Sequence, residues 1–146
     1  MYAIGNDHTG LAMKEIIKKH LEEKGIAVKD FGTESTTASN YPDIAEEVAA
    51  AVAGGACERG ILICGTGVGM SICANKVNGI RAVCCSEPFS AKLAKQHNNA
   101  NILCFGARVV GTEMAKMIVD HWVEAEFEGG RHAVRVGMIS EIEKRN

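Results

Sequence analysis

The chain has no excess of basic residues: 16 Lys and Arg stand against 18 Asp and Glu, for a formal net charge of -2. That excludes a nucleic-acid groove or an anionic-membrane surface, which need a large basic surplus, so any anion must be met by a few placed arginines. No apolar run reaches membrane-spanning length, and Met1-Tyr2-Ala3-Ile4-Gly5 has neither the basic stretch nor the long apolar core of a secretion signal. A cytoplasmic protein is expected. Cys-x-x-Cys and His-x-x-x-His spacings are missing, although six cysteines and five histidines are present, and no metal is assigned. The cysteines fall mostly in apolar segments and read as reduced core thiols. Repeats, low-complexity tracts and linkers are absent too. A hydrophobic content of 47% over 146 residues suffices for one core, so residues 1–146 read as one domain.

What the chain does have is a cysteine delivered into alternating glycines: Gly60-Ile61-Leu62-Ile63-Cys64-Gly65-Thr66-Gly67-Val68-Gly69-Met70. Ile61 to Ile63 form an unbroken apolar run, the pattern of a strand buried on both faces of a parallel sheet. The glycines let the backbone turn sharply and bring its N–H groups close to a ligand. Met70, Ile72, Cys73 and Ala74 follow at helical spacing, which puts the loop at a helix N-terminus, an environment that favours anions and thiolates. A merely buried cysteine has no use for such a loop.

Strand and helix patterns alternate along the rest of the chain. A strand over residues 2 to 6 runs into Asp7-His8-Thr9-Gly10 and then a helix carrying Met13, Ile16, Ile17, His20 and Leu21; Gly25 caps it before a second strand over Ile26 to Phe31. Pro42 opens a helix with Ile44, Ala45, Val48, Ala49 and Val52 on one face. After the glycine loop come a short strand, Ala82 to Cys85, and a helix started by Ser86 and Pro88 that ends at Gln96-His97-Asn98-Asn99. Ile102 to Phe105 form the fifth strand, followed by Gly106-Ala107-Arg108, a long helix from Thr112, and a last helix after Gly129-Gly130. This alternation implies right-handed crossovers and a parallel sheet covered on both faces.

Ligands of such sheets bind at the carboxyl ends of the strands. Asp7 and His8, Cys64, and Arg108 follow strands one, three and five there, with His97 on the approach to strand five. Arg131 and Arg135 sit four apart on the last helix, where two guanidinium forks suit the oxygens of a phosphate. His132 between them points elsewhere on a helix and is left out. The glycine loop also approximates a dinucleotide fingerprint, with Glu87 as its ribose-binding acid, which keeps a non-catalytic nucleotide- or sugar-phosphate-binding module open. Against it, Met70 stands where the last small residue should be, the loop follows strand three, and no Gly-Lys-Ser/Thr ending is present.

Beyond single motifs, Asp7-His8, Gly60 to Gly69, Gly79-Ile80-Arg81-Ala82, Cys85-Ser86-Glu87-Pro88, Gln96-His97-Asn98, Phe105 to Gly111 and Gly129-Gly130-Arg131-His132 together resemble the ribose/galactose isomerase family over almost the whole chain. The resemblance implies a five-stranded parallel sheet in a three-layer, Rossmann-like α/β/α sandwich. It implies a homodimer, sometimes a homotetramer, with sites near the subunit interface, where Arg131 and Arg135 can complete the partner's site. The implied activity is aldose-ketose isomerisation of ribose 5-phosphate and ribulose 5-phosphate, or of a hexose 6-phosphate such as allose or galactose 6-phosphate, without metal or cofactor. It assigns the carbon base to Cys64, ring opening to His97 with Asp7 assisting, and proton movement between sugar oxygens to Thr66. The enediolate falls to backbone N–H groups from Gly65 through Gly67 and Val68 to Gly69, a sugar hydroxyl to Asn98, and the phosphate to His8, Arg108, Arg131 and Arg135.

Overall fold

The computed structural model describes residues 1–146. Five strands, β1 (Tyr2–Asn6), β2 (Val28–Asp30), β3 (Arg59–Cys64), β4 (Ala82–Cys84) and β5 (Ile102–Gly106), alternate with helices α1 (Leu11–Glu23), α2 (Tyr41–Ala53), α3 (Val68–Ala74), α4 (Pro88–Asn98) and α5 (Thr112–Glu124); α6 (Arg131–Lys144) follows. All strand pairs are parallel, in the order β2-β1-β3-β5-β4. The register sets Asn6 beside Ile63 and Cys64 beside Gly106.

Period-two alternation divides the sheet between two helical layers. Ile4, Ile61, Ile63, Leu103 and Phe105 pack with α1, α5 and Ala91 of α4 around Trp122, whose ring meets Tyr2 edge-on at 6.0 Å. Ala3, Leu62, Cys64, Ile102 and Cys104 face the opposite layer, α2 and α3. The three-layer α/β/α sandwich is therefore as expected from the alternation. No helix is long and apolar enough to cross a membrane.

Several boundaries and placements differ from the sequence reading. The second strand is shorter, because Ile26 still donates to Leu21 O at the end of α1. Glu87, not Ser86, caps α4, its carboxylate accepting from Ser90 N at 3.1 and 3.0 Å. Two of the six thiols also leave the core: Cys84 is exposed and Cys73 half-buried. Left-handed backbone follows three helices, at Gly25, Gly55 and Asn99, the residue types that turn chemistry favours there.

Candidate active site

Chain order does not make strands one, three and five neighbours, but the sheet does. The chain reverses its direction of travel across the sheet at β1, so the gap between the carboxyl ends of β1 and β3 is the switch-point crevice where ligands of open α/β sheets bind. Asp7 leaves β1 on one side of it and Cys64 ends β3 on the other, with Asp7 N bonded to Ile63 O at 3.2 Å. β5 lies on the far side of β3 and brings up Arg108, whose backbone N donates to Gly65 O at 3.1 Å and whose guanidinium lies over Gly65.

Within this crevice each group is held by its own loop. Cys64 is buried, and Gly67 N donates to its Sγ at 3.1 Å, so a backbone dipole is aimed at the sulfur. Asp7, also buried, receives Thr9 N at 2.9 Å and Thr9 Oγ1 at 2.6 Å, both on Oδ1. His8 Nδ1 accepts from Ser39 N at 3.3 Å, which places the ring proton on Nε2. Thr66 Oγ1 accepts from Val68 N at 3.2 Å. Burial first, then neighbouring thiols, raises the Cys84 and Cys104 thiols, and burial pushes Cys85 to about 11. The thiols around Cys64 are thus kept neutral at physiological pH.

Two close approaches explain why the loop needs glycine. Gly67 has φ +84 and lies against the Phe105 backbone, and a β-carbon at Gly106 would stand 2.6 Å from Gly65 O and from Thr66 Cα. The loop is clamped onto the end of β5. Gly106→Ala is therefore expected to lower stability by about 1–3 kcal/mol through overpacking and, by pushing Gly65 and Thr66 away from Cys64, to cut kcat by about 10-fold or more. Thermal melting beside steady-state kinetics checks this, and unchanged kcat would show that the loop geometry is not critical.

His97 and Asn98 are not in this crevice: the approach to strand five, where the sequence places His97, lies at the opposite edge of the sheet. β4 ends at the carboxyl edge, and the eleven residues of α4 then carry the chain back by about 16 Å. His97 and Asn98 therefore sit by the amino edge, where β5 begins. The start of α6 joins them there. His132 stacks on His97, with ring centroids 4.2 Å apart and planes at 6°, and Arg131 and Arg135 are near enough to lower His132 electrostatically. As the helical period predicts, His132 points away from Arg131 and Arg135: it is the one residue that α6 buries, while both arginines are exposed, and what the sequence did not signal is that His97 lies under it. Glu128 Oε1 lies 3.6 Å from His97 Nε2 and 3.5 Å from His132 Nε2. Three potential metal ligands thus gather, but the two stacked rings hold their lone pairs in separate parallel planes, so one ion cannot lie in the plane of both.

Sequence reasoning also missed Asn6, which is fully buried and donates from Nδ2 to Asp7 O at 2.8 Å and Thr33 O at 3.0 Å. It ties the Asp7 loop to the segment after β2, and a β-carbon at Gly32 would fall on its amide. An asparagine at a strand end carries no signal of this in sequence. Tyr41 was likewise unassigned. Its ring fills the space above Gly69, where a β-carbon would come within 2.5 Å of it. Glu87 is spent on capping α4, which removes the acid that the dinucleotide reading required.

A buried cysteine in a glycine cradle at a switch-point crevice, flanked by a carboxylate, a histidine and an arginine, defines an α/β enzyme for a small anionic metabolite. The ribose/galactose isomerase family model matches residues 2–139. The chain is 59% identical over 143 residues to ribose-5-phosphate isomerase B of Escherichia coli, covering 98% of this chain and 96% of that protein. The structure of ribose-5-phosphate isomerase B from Clostridium thermocellum superposes with a TM-score of 0.97 at 53% identity, over 99% and 97% of the two chains. That of the Mycoplasma genitalium enzyme with bound ribulose 5-phosphate gives a TM-score of 0.95 at 44% identity, again over 99% and 97%. The chain belongs to the ribose/galactose isomerase family.

Proposed function

We propose that this protein interconverts ribose 5-phosphate and ribulose 5-phosphate, with Cys64 as the carbon base. The observation that carries this reading is the Cys64 sulfur, buried with the Gly67 N–H aimed at it, in one crevice with Asp7, His8 and Arg108. Similarity to the Escherichia coli isomerase and to the ribulose-5-phosphate complex supports the pentose. His97 opens the furanose ring, assisted by Asp7. The Cys64 thiolate then takes the C2 proton of the open aldose, and the developing charge on O1 is met by the N–H groups of Gly65 to Gly69. Thr66 moves a proton between O1 and O2, and Cys64 returns its proton to C1. Asn98 holds a sugar hydroxyl, and His8, Arg108, Arg131 and Arg135 hold the phosphate.

The separation of His97 and Arg131 from Cys64 within one chain supports a homodimer in which each subunit's amino-edge group completes its partner's crevice. So does α6, which buries only His132 while exposing Val134, Met138, Ile139 and Ile142; an apolar face of this kind wants a second protein surface. Six free thiols suit a reducing, cytoplasmic setting. The test is ketose formation from ribose 5-phosphate and, in parallel, allose 6-phosphate, by the purified protein in EDTA. Rapid, chelator-resistant turnover of the pentose is expected. A clear preference for the hexose would change the substrate and keep the mechanism, and turnover of neither would return the protein to a binding role.

A further inference from the structure

His97 is met on its own chain by an arrangement too well built to be incidental. The link between α5 and α6 is stitched to α4 next to it, Glu128 N donating to Gln96 O at 2.9 Å. Gly129 and Gly130 then take φ values of +66 and +55, a turn that side chains resist. Backbone bonds from His132 N to Gly129 O at 3.0 Å and from Ala133 N to Gly130 O at 3.1 Å fix the first turn of α6. The result brings residues 128 and 132 to His97 from one side, a carboxylate at 3.6 Å from Nε2 and an imidazole stacked at 4.2 Å.

We propose that Glu128 and His132 are positioning residues for His97, the carboxylate and the stacked ring together holding its imidazole in the orientation from which it opens the sugar ring. This rests on the reading of His97 as the ring-opening group. Glu128 supplies a negative partner for Nε2, as carboxylates orient catalytic imidazoles elsewhere. His132 supplies a flat apolar face that removes ring rotation. Burial, then the neighbouring His97 and Arg131, lowers His132 from its ordinary value, so it stays a neutral ring at physiological pH and does not compete for the charge of Glu128.

The chemistry offers a way to isolate this role. Ribulose 5-phosphate cannot close a furanose, because its C5 oxygen carries the phosphate. Its C1 hydrogen therefore exchanges with solvent through Cys64 alone, whereas conversion of ribose 5-phosphate needs ring opening first. In Glu128→Gln and His132→Ala, kcat on ribose 5-phosphate is expected to fall about 10-fold with KM nearly unchanged. Solvent deuterium exchange at C1 of ribulose 5-phosphate should stay close to the parental rate, and His132→Phe, which keeps the stack, should recover most of the turnover. Equal loss of both reactions, or no loss in either, overturns the proposal. His97→Ala run alongside separates the two readings. Near-parental turnover there removes the ring-opening role itself, while a slow His97→Ala beside unaffected Glu128→Gln and His132→Ala removes only the positioning role.

Discussion

Cys64→Ser is expected to lower kcat by about 10²–10⁴-fold while KM stays near the parental value, because it changes the base and little else. Serine fits the buried site and can still accept from Gly67 N, so the loop should keep its shape. A hydroxyl, however, is a far weaker acid than a thiol and gives almost no anion at neutral pH, so the carbon proton has nowhere to go. The neighbouring thiols offer no substitute, since burial raises Cys84, Cys85 and Cys104 and keeps them protonated. Solvent exchange at C1 of ribulose 5-phosphate should fall with turnover, unlike in the positioning variants. Near-parental rates would move the base elsewhere, with Asp7 the first alternative, as its buried carboxylate flanks the same crevice.

Mixing two dead variants should restore activity. Cys64→Ala and His97→Ala are each expected to lose most turnover alone. If Cys64 of one subunit works with His97 of the other, half the randomly assorted dimers are mixed and each holds one intact site, so co-refolded protein should recover about a quarter of parental activity. If each chain carried a complete site, the mixture would stay inactive. The geometry favours sharing, since α4 carries His97 away from the end of β3 toward the opposite sheet edge. Arg131→Ala should complement Cys64→Ala in the same way, as Arg131 begins the helix whose first turn packs on His97. A fully active monomer by sizing-coupled assay would refute the shared site outright.

Much of this was open to reading along the chain because it is local. An apolar triplet ending in Cys64 and three spaced glycines specify a buried strand and a close-approach loop through periodicity and backbone freedom alone. The positions of Asp7, His8 and Arg108 after alternate strands follow from the same alternation that predicts the parallel sheet. Even the place of His97 was implicit, since a helix between parallel strands must return to the far edge. The tertiary structure decided what depends on contacts between distant segments. Strand order set β1, β3 and β5 side by side and so joined three loops into one crevice. The folding of the α5–α6 link onto α4 turned Glu128 and His132 toward His97, a meeting across more than 30 positions that no helical period could signal. Local patterns determine which way a residue faces on its own element; only packing determines which element it faces.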